Sequence, residues 1–100
     1  MVLIPICPEQ LGGLRTPREP CHIEGGKGAD VLAGRARVID ETGADRTAEF
    51  VRGAKEAAEI AKTFGATRAF LKSRSPSCDA SFGVAAAALH EAGLAIESVE

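Results

Sequence analysis

The sequence predicts a small α/β domain: a Rossmann-like, mostly parallel sheet with flanking helices in three layers and one long loop rich in proline and glycine. Apolar, strand-like segments alternate with segments of helical periodicity, an order typical of parallel sheets with right-handed crossovers. The composition is 45% hydrophobic but only 4% aromatic, so the core must consist of small aliphatic side chains. The 100 residues suit a single domain, residues 1–100.

The first third of the chain predicts little regular structure. Residues 2–7 are apolar and predict a short buried strand, although Pro5 cannot donate to a strand ladder. Residues 8–28 predict a loop because proline and glycine are dense there. Residues 29–32 predict a helical turn. Residues 35–39 predict a half-exposed strand with Arg35 and Arg37 on its polar face, followed by a turn at 40–43.

Residues 47–64 predict the clearest helix. Either Asp45 or Thr47 can cap its start, and Gly65 can end it. A strand at 67–71, a loop at 73–78, an alanine-rich helix at 83–92 and a last strand at 94–99 follow. The residues expected to share the apolar face of the clearest helix are Phe50, Ala54, Ala57, Ala58, Ala61 and Phe64.

Charge and cysteine content exclude several classes of protein. A net charge of -2, without a basic stripe or an aromatic platform, gives little support for nucleic-acid binding. Neither a signal peptide nor a membrane span is predicted. Three cysteines, an odd number, oppose a disulfide framework and indicate a reducing cytoplasm. Free thiols or metal ligands are then the remaining options.

Cys7 and Cys78 each follow a predicted apolar strand. Ligands bind at the carboxyl ends of strands in open α/β sheets, so we expect these thiols to converge there with Glu9 and Ser75. Thiolates at one edge suggest a soft metal or an iron-sulfur cluster. The alternative is two buried core thiols. Glu9 is either a general base or a solvated loop carboxylate, and Ser75 is either a catalytic hydroxyl or the start of a Ser-Pro turn.

Other candidate motifs are weaker. The glycines at 12–13 and 25–28 match no phosphate-loop pattern. Arg15 and Arg18 could clamp an anionic substrate, although surface ion pairs are their commoner use. Cys21 and His22 are adjacent, but no second pair with zinc-site spacing follows. His90 is expected at a helix end on the surface.

Four segments together resemble the 2-thiouracil desulfidase family, long catalogued as a domain of unknown function. They are Cys-Pro-Glu-Gln-Leu-Gly-Gly-Leu-Arg-Thr-Pro-Arg at 7–18, Ile-Glu-Gly-Gly-Lys-Gly at 23–28, Val-Leu-Ala-Gly-Arg-Ala-Arg-Val at 31–38 and Leu-Lys-Ser-Arg-Ser-Pro-Ser-Cys at 71–78. The resemblance is continuous from the first segment to the last and is more specific than any single motif.

The resemblance implies a [4Fe-4S] cluster held by three cysteines with one iron open. The thiocarbonyl sulfur of a small heterocycle would bind that iron, a glutamate would activate the attacking water, and sulfide would leave without net redox chemistry. Matched motif by motif, the implied roles are cluster ligands for Cys7 and Cys78, general base for Glu9, substrate or proton-transfer partner for Ser75, and pocket residues for Arg18 and Lys72.

The chain departs from the family pattern in two places. Family members begin with a further strand and a Cys-Leu-Leu-Gly segment that supplies the remaining cysteine, so we expect this chain to be N-terminally incomplete relative to the family. An uncovered sheet edge could then support a dimer, and Cys21 could substitute as third ligand. After Cys78 the family continues through a glycine-rich loop, whereas residues 79–82 here lead almost directly into a helix.

Two functions therefore remain open. The first is a cytoplasmic, iron-sulfur-dependent desulfidase acting on a thiolated pyrimidine-like small molecule, without a nucleic-acid or membrane partner. The second is a cluster-free, non-catalytic α/β module that binds a small anion through Arg15, Arg18 and the glycine-rich loop, or packs on a partner through its uncovered edge. The presence of a third cysteine ligand would favour the desulfidase, and its absence would favour the binding module.

Overall fold

The structure is a computed structural model that describes residues 4–14, 19–79 and 83–99. Helices and strands alternate along most of the chain, which confirms the predicted α/β class. In chain order the elements are α1 (Pro8–Leu11), β1 (Cys21–Glu24), α2 (Gly28–Leu32), β2 (Arg37–Asp40), α3 (Thr47–Thr63), β3 (Arg68–Lys72), α4 (Val84–Glu91) and β4 (Ala95–Val99).

The strands pair in two separate two-stranded sheets within the described ranges. β1 runs antiparallel to β2, with Cys21 opposite Asp40. β3 runs parallel to β4, with Arg68 opposite Ala95, and α4 forms the connection between them. The predicted parallel crossover is therefore present in the second sheet. The Rossmann-like, three-layer detail of the prediction is not confirmed, because the sheets of the described residues have only two strands each.

Helix α3 is the structural centre of the chain, and its sequence pattern explains its position. It begins after Arg46, where the Oδ1 atom of Asp45 accepts a hydrogen bond from the amide of Thr47 at 2.8 Å. Gly65, with φ +65°, follows its last turn in the left-handed conformation that glycine adopts readily. The predicted apolar face is buried at Phe50, Ala54, Ala57 and Ala61 and partly buried at Ala58. Phe64 was wrongly predicted to share this face: it lies beyond the helix end and is 65% exposed.

The core consists mostly of small aliphatic side chains, as the composition predicted, with the aromatic Phe50 as its largest fully buried side chain. One buried cluster joins β2 with helices α2, α3 and α4 around Phe50. A second joins β3 and the ends of α3 and α4 around Leu71 and Leu89. Because α3 and α4 contribute to both clusters, they form the rigid support on which the remaining segments lie.

Two predictions for the first part of the chain were wrong. Residues 4–7 form no strand, and the exposed fractions of Ile4 and Ile6 are 43% and 40%; residues 2 and 3 of that predicted strand lie outside the described residues. Residues 8–28, predicted as a loop, contain α1 and β1 and the start of α2. Proline suits the first position of a helix because the amide it lacks has no partner there, so Pro8 starts α1 rather than preventing it.

The bounds of the other observed elements lie close to the predicted ones.

None of the helices in the described ranges is long and apolar enough to cross a bilayer.

Candidate functional site

A cleft of about 600 Å³ lies between the start of α1 and the loop that follows β3. The sequence motifs of both segments meet in this cleft, and five of the six predicted site residues line it. Arg18, the sixth, lies outside the described residues, as does Arg15. The lining residues are Ile6, Cys7, Pro8, Glu9, Lys72, Ser73, Arg74, Ser75, Pro76 and Cys78.

One wall of the cleft is built by the segment that enters α1. Cys7 is the N-cap residue and has an extended backbone, with φ -124° and ψ 104°, so the chain turns into the helix directly after it. The carbonyl of Cys7 accepts a hydrogen bond from the amide of Leu11 at 3.0 Å. Glu9 lies in the first turn of the same helix. The thiol and the carboxyl group are therefore fixed relative to each other by one short helix.

The opposite wall is the loop at residues 73–79, which is ordered by its own hydrogen bonds. The Oγ atom of Ser75 accepts hydrogen bonds from the amides of Ser77 and Cys78, each at 3.1 Å. The carboxyl group of Asp79 accepts one from the amide of Arg74, and the amide of Asp79 donates to the carbonyl of Ser75 at 2.9 Å. Arg74 has φ +68°, an uncommon left-handed conformation for a residue with a Cβ. This network closes the loop into a tight turn with Cys78 at its end.

The same loop caps helix α4. The carbonyl of Pro76 accepts a hydrogen bond from the amide of Val84 at 2.9 Å. The carbonyl of Ser77 accepts from the amides of Ala85, at 2.7 Å, and Ala86, at 3.1 Å. The first amides of a helix have no partner within it, so these bonds satisfy groups that would otherwise be buried without one. The position of Cys78 is thereby tied to the buried helix behind it.

The surroundings of Cys78 favour its neutral thiol. Burial is the largest cause that raises the pKa of Cys78, and the negative charges of Glu9 and Cys7 raise it further. The hydroxyl groups of Ser77 and Ser75 act in the opposite direction. Glu9 and Cys7 line the same cleft as Cys78, which agrees with their effect on its pKa. A bound metal centre would reverse this preference, since positive charge stabilises thiolates.

The remaining thiol and the two histidines lie away from the cleft. Cys21 is in β1, packs against the first core cluster and donates a hydrogen bond from its Sγ atom to the carbonyl of Glu19 at 3.6 Å. It does not line the cleft with the other two thiols. His22 is exposed and pairs with Glu24 at 2.8 Å, and His90 is exposed in the last turn of α4, as expected. Within residues 4–14, 19–79 and 83–99, no group of three or more His, Cys, Asp or Glu is arranged to hold a metal ion.

Sequence reasoning missed Arg74 and Asp79. Arg74 lines the cleft in its unusual conformation, and Asp79 closes the loop through the amide of Arg74. One signal was available: Lys72 and Arg74 alternate in the segment before Ser75, which can place two cations on one side of an extended chain.

A second, larger cavity of about 710 Å³ lies between helices α2, α3 and α4. Its floor is mainly alanine, with charged side chains such as Lys55, Glu59 and Lys62 also lining it. It contains no thiol and none of the residues predicted for chemistry. The smaller cleft is therefore the candidate site, because the reactive groups converge there.

Comparison with known proteins gives a family match over almost the whole chain. The family model described as 2-thiouracil desulfurase matches residues 1–99. An uncharacterized protein of Bacillus subtilis (strain 168), YbbK, is 41% identical over 106 aligned residues, which cover 92% of this chain and 70% of that protein.

A solved structure is also similar. It is titled as the [4Fe-4S]-dependent thiouracil desulfidase TudS, and it matches with a TM-score of 0.76 and 33% sequence identity. The match covers 92% of this chain and 64% of the TudS chain, so this chain spans somewhat less than two thirds of that protein. The arrangement of helices and strands described above is therefore one that TudS shares.

Proposed function

Because the chain belongs to the 2-thiouracil desulfurase family, we propose that it hydrolyses the carbon-sulfur bond of a thiolated, pyrimidine-like small molecule. Water would replace the sulfur, so a C=S group becomes C=O and sulfide leaves without any net oxidation or reduction. The observation that carries the proposal is the cleft in which Cys7, Cys78 and Glu9 meet. The similarity to TudS supports it.

The side chains of this cleft include the type that ligates iron-sulfur clusters. Thiolates are the ligands that such clusters take, and two thiols share the cleft. Cys7 and Cys78 would hold the cluster, and its charge would stabilise the thiolate of Cys78 against the burial that favours the thiol. The resemblance implies three cysteine ligands, and the described lining of the cleft provides two. When bound, a cluster with one open iron would supply a thiophilic Lewis acid for the thiocarbonyl sulfur.

Glu9 is the proposed general base. Glu9 lines the cleft together with both cysteines, and from there its carboxyl group would orient a water molecule towards a bound substrate. A base at hydrogen-bond distance from that water can take its proton as the oxygen attacks the carbon. That proton can then pass to the departing sulfur, which leaves as hydrosulfide (HS⁻), while the second proton of the water goes to solvent as the C=O group forms.

The other residues of the cleft would bind and orient the substrate. The lone pairs of Ser75 Oγ accept two backbone amides, which leaves the hydroxyl proton available to donate to a substrate heteroatom. Lys72 lines the same cleft, and its ammonium group would stabilise negative charge on the ring during the attack. Arg18 has the pocket role that the resemblance implies.

We further propose a cytoplasmic setting. No disulfide joins Cys7, Cys21 or Cys78, and a reducing compartment would keep the two thiols of the cleft available as ligands. An uncovered sheet edge could serve a dimer, which a mass measurement in solution would detect.

The proposal is tested by anaerobic purification followed by reconstitution with iron and sulfide. We expect iron, the broad visible absorption of a thiolate-bound cluster, and release of sulfide from 2-thiouracil. Cys7→Ser and Cys78→Ser should each lose all three signals. Cys21→Ser is the matched control and should keep them, because Cys21 lies outside the cleft. A folded chain that binds no iron and releases no sulfide would contradict the proposal and favour the small-anion-binding module.

A further inference from the structure

Helices α1 and α3 touch backbone to backbone at two glycines. A Cβ atom added to Gly53, in the middle of α3, would overlap the carbonyl oxygen of Pro8. A Cβ atom added to Gly12, at the end of α1, would overlap the carbonyl oxygen of Glu49. The two segments can therefore lie this close only because neither position carries a side chain.

Backbone conformation does not explain either glycine. Gly12 has φ -79° and ψ -2°, which any residue adopts, and Gly53 lies within a regular helix. Glycine inside a helix lowers stability relative to alanine, because it loses more conformational freedom on folding. The close approach of α1 is the remaining physical reason for glycine at these positions.

The docking of α1 decides where one wall of the candidate cleft lies. Cys7 directly precedes this helix and Glu9 lies in its first turn, so both follow any displacement of Pro8. The guanidinium group of Arg52 adds a tie from α3 by donating to the carbonyl of Gly12 at 3.5 Å. A side chain at position 53 would push against the residue between the thiol and the carboxyl group.

The loop that carries Cys78 also packs closely against a glycine. A Cβ atom added to Gly83, just before α4, would lie 2.5 Å from the carbonyl oxygen of Ser77 and 2.6 Å from the amide of Asp79. A Cβ atom added to Gly28 would in turn overlap the carbonyl oxygen of Gly83. Each wall thus rests directly on the backbone of a buried helix, and α3 and α4 pack against each other in the core.

We propose that Gly53 is a positioning residue that sets the distance of Cys7 and Glu9 from Cys78. Its purpose rests on the proposed function, because a cluster and a base need a fixed separation. The positioning itself is a property of the free chain and can be measured without a cluster.

The test uses Gly53→Ala in a Cys21→Ser background, so that only the two cleft thiols react. Bismaleimides of graded length are first tested on the parent, and the shortest one that joins Cys7 to Cys78 is chosen. The intramolecular crosslinking yield with that linker is then compared between variants. We expect Gly53→Ala to lower that yield about fivefold or more, since displacements near 1 Å have large effects on groups that must meet. Glu56→Ala is the control: it changes an exposed position of the same helix to alanine, and the yield should not change.

An unchanged yield in folded Gly53→Ala would overturn the proposal. If that variant does not fold, Gly12→Ala applies the same test from the short helix, which can move away without opening the core. Iron content is measured in parallel. If the parent binds no iron but Gly53→Ala still lowers the crosslinking yield, the desulfidase proposal is refuted and the positioning role of Gly53 stands.

Discussion

The side-chain oxygen of Ser75 accepts a hydrogen bond from the backbone amide of Cys78 at 3.1 Å. The sequence left two interpretations of Ser75 open, a catalytic hydroxyl or the start of a Ser-Pro turn. The structure shows the turn, because the same oxygen also accepts the amide of Ser77. The catalytic role stays a prediction, and the two are compatible, because a hydroxyl group that accepts hydrogen bonds can also donate its proton.

Replacing Ser75 separates these two roles. We expect Ser75→Ala to lower both the iron content after reconstitution and the activity, because two amides lose their acceptor and Cys78 is held less firmly. Ser75→Thr keeps the hydroxyl and should retain most of the iron. Iron and sulfide assays on equal amounts of folded protein provide the measurement. Iron content that is equal in all three proteins, with activity lost only in Ser75→Ala, would show that the hydroxyl acts on the substrate alone.

Glu9→Gln tests the proposed general base. Glutamine preserves the size of the side chain and one accepting oxygen but cannot take a proton, so we expect the rate of sulfide release to fall by about 100-fold or more while the iron content stays unchanged. Glu59→Gln, at an exposed position of α3, is the control and should keep the parent rate. Full activity in Glu9→Gln would assign the base to another group.

The sequence predicts those elements whose pattern lies within their own segment, and it fails for those that depend on contacts with distant segments. Helix α3 follows from the spacing of Phe50 and the alanines, since periodicity records which face is buried. The meeting of Cys7 with Cys78 was also predicted, although through an incorrect first strand. Apolar residues 4–7 resemble a strand by composition, but whether they pair depends on a partner elsewhere in the chain.

The elements that were missed depend on distant contacts. β1 exists because Cys21–Glu24 pairs with Arg37–Asp40, and nothing in its own short sequence distinguishes it from a loop. Cys21 was considered as a third ligand on residue type alone, and the same pairing places it on the core cluster instead. The role of Gly53 was equally hidden, because a glycine in a helical pattern gives no indication of which backbone approaches it.

Phe50, within α3, and Phe64, just after its end, offer a matched test of the core. Phe50 is 1% exposed and packs in the first cluster, whereas Phe64 is 65% exposed. We expect Phe50→Ala to lower the free energy of unfolding by about 3–5 kcal/mol, from lost burial and the cavity left behind. Phe64→Ala should change it by less than about 0.5 kcal/mol. Urea titration followed by circular dichroism measures both, and equal effects would contradict the assignment of the core face.

Asp40 organises the turn between β2 and α3. It is 3% exposed, and its carboxyl group accepts hydrogen bonds from the hydroxyl and amide of Thr42, at 2.6 and 2.8 Å, and from the amide of Ala44 at 3.0 Å. The Nε atom of Arg46 donates a further bond at 3.0 Å. The hydrogen bond from the Thr42 hydroxyl is the largest cause that lowers the pKa of Asp40, which falls from 3.8 to about 2 against the opposing effect of burial.

The lowered pKa of Asp40 predicts how stability depends on pH. The folded state holds the proton less tightly than the unfolded chain, so the carboxylate stabilises the fold fully above pH 3.8, and this contribution is lost as the pH falls to about 2. Asp40→Asn should therefore unfold at lower urea concentration than the parent at pH 7, and the difference should shrink progressively in titrations from pH 5 towards pH 2. Glu41→Gln, an exposed neighbour, should show no such convergence. A difference between Asp40→Asn and the parent that is constant over this range would mean that the ionised carboxylate does not stabilise the turn.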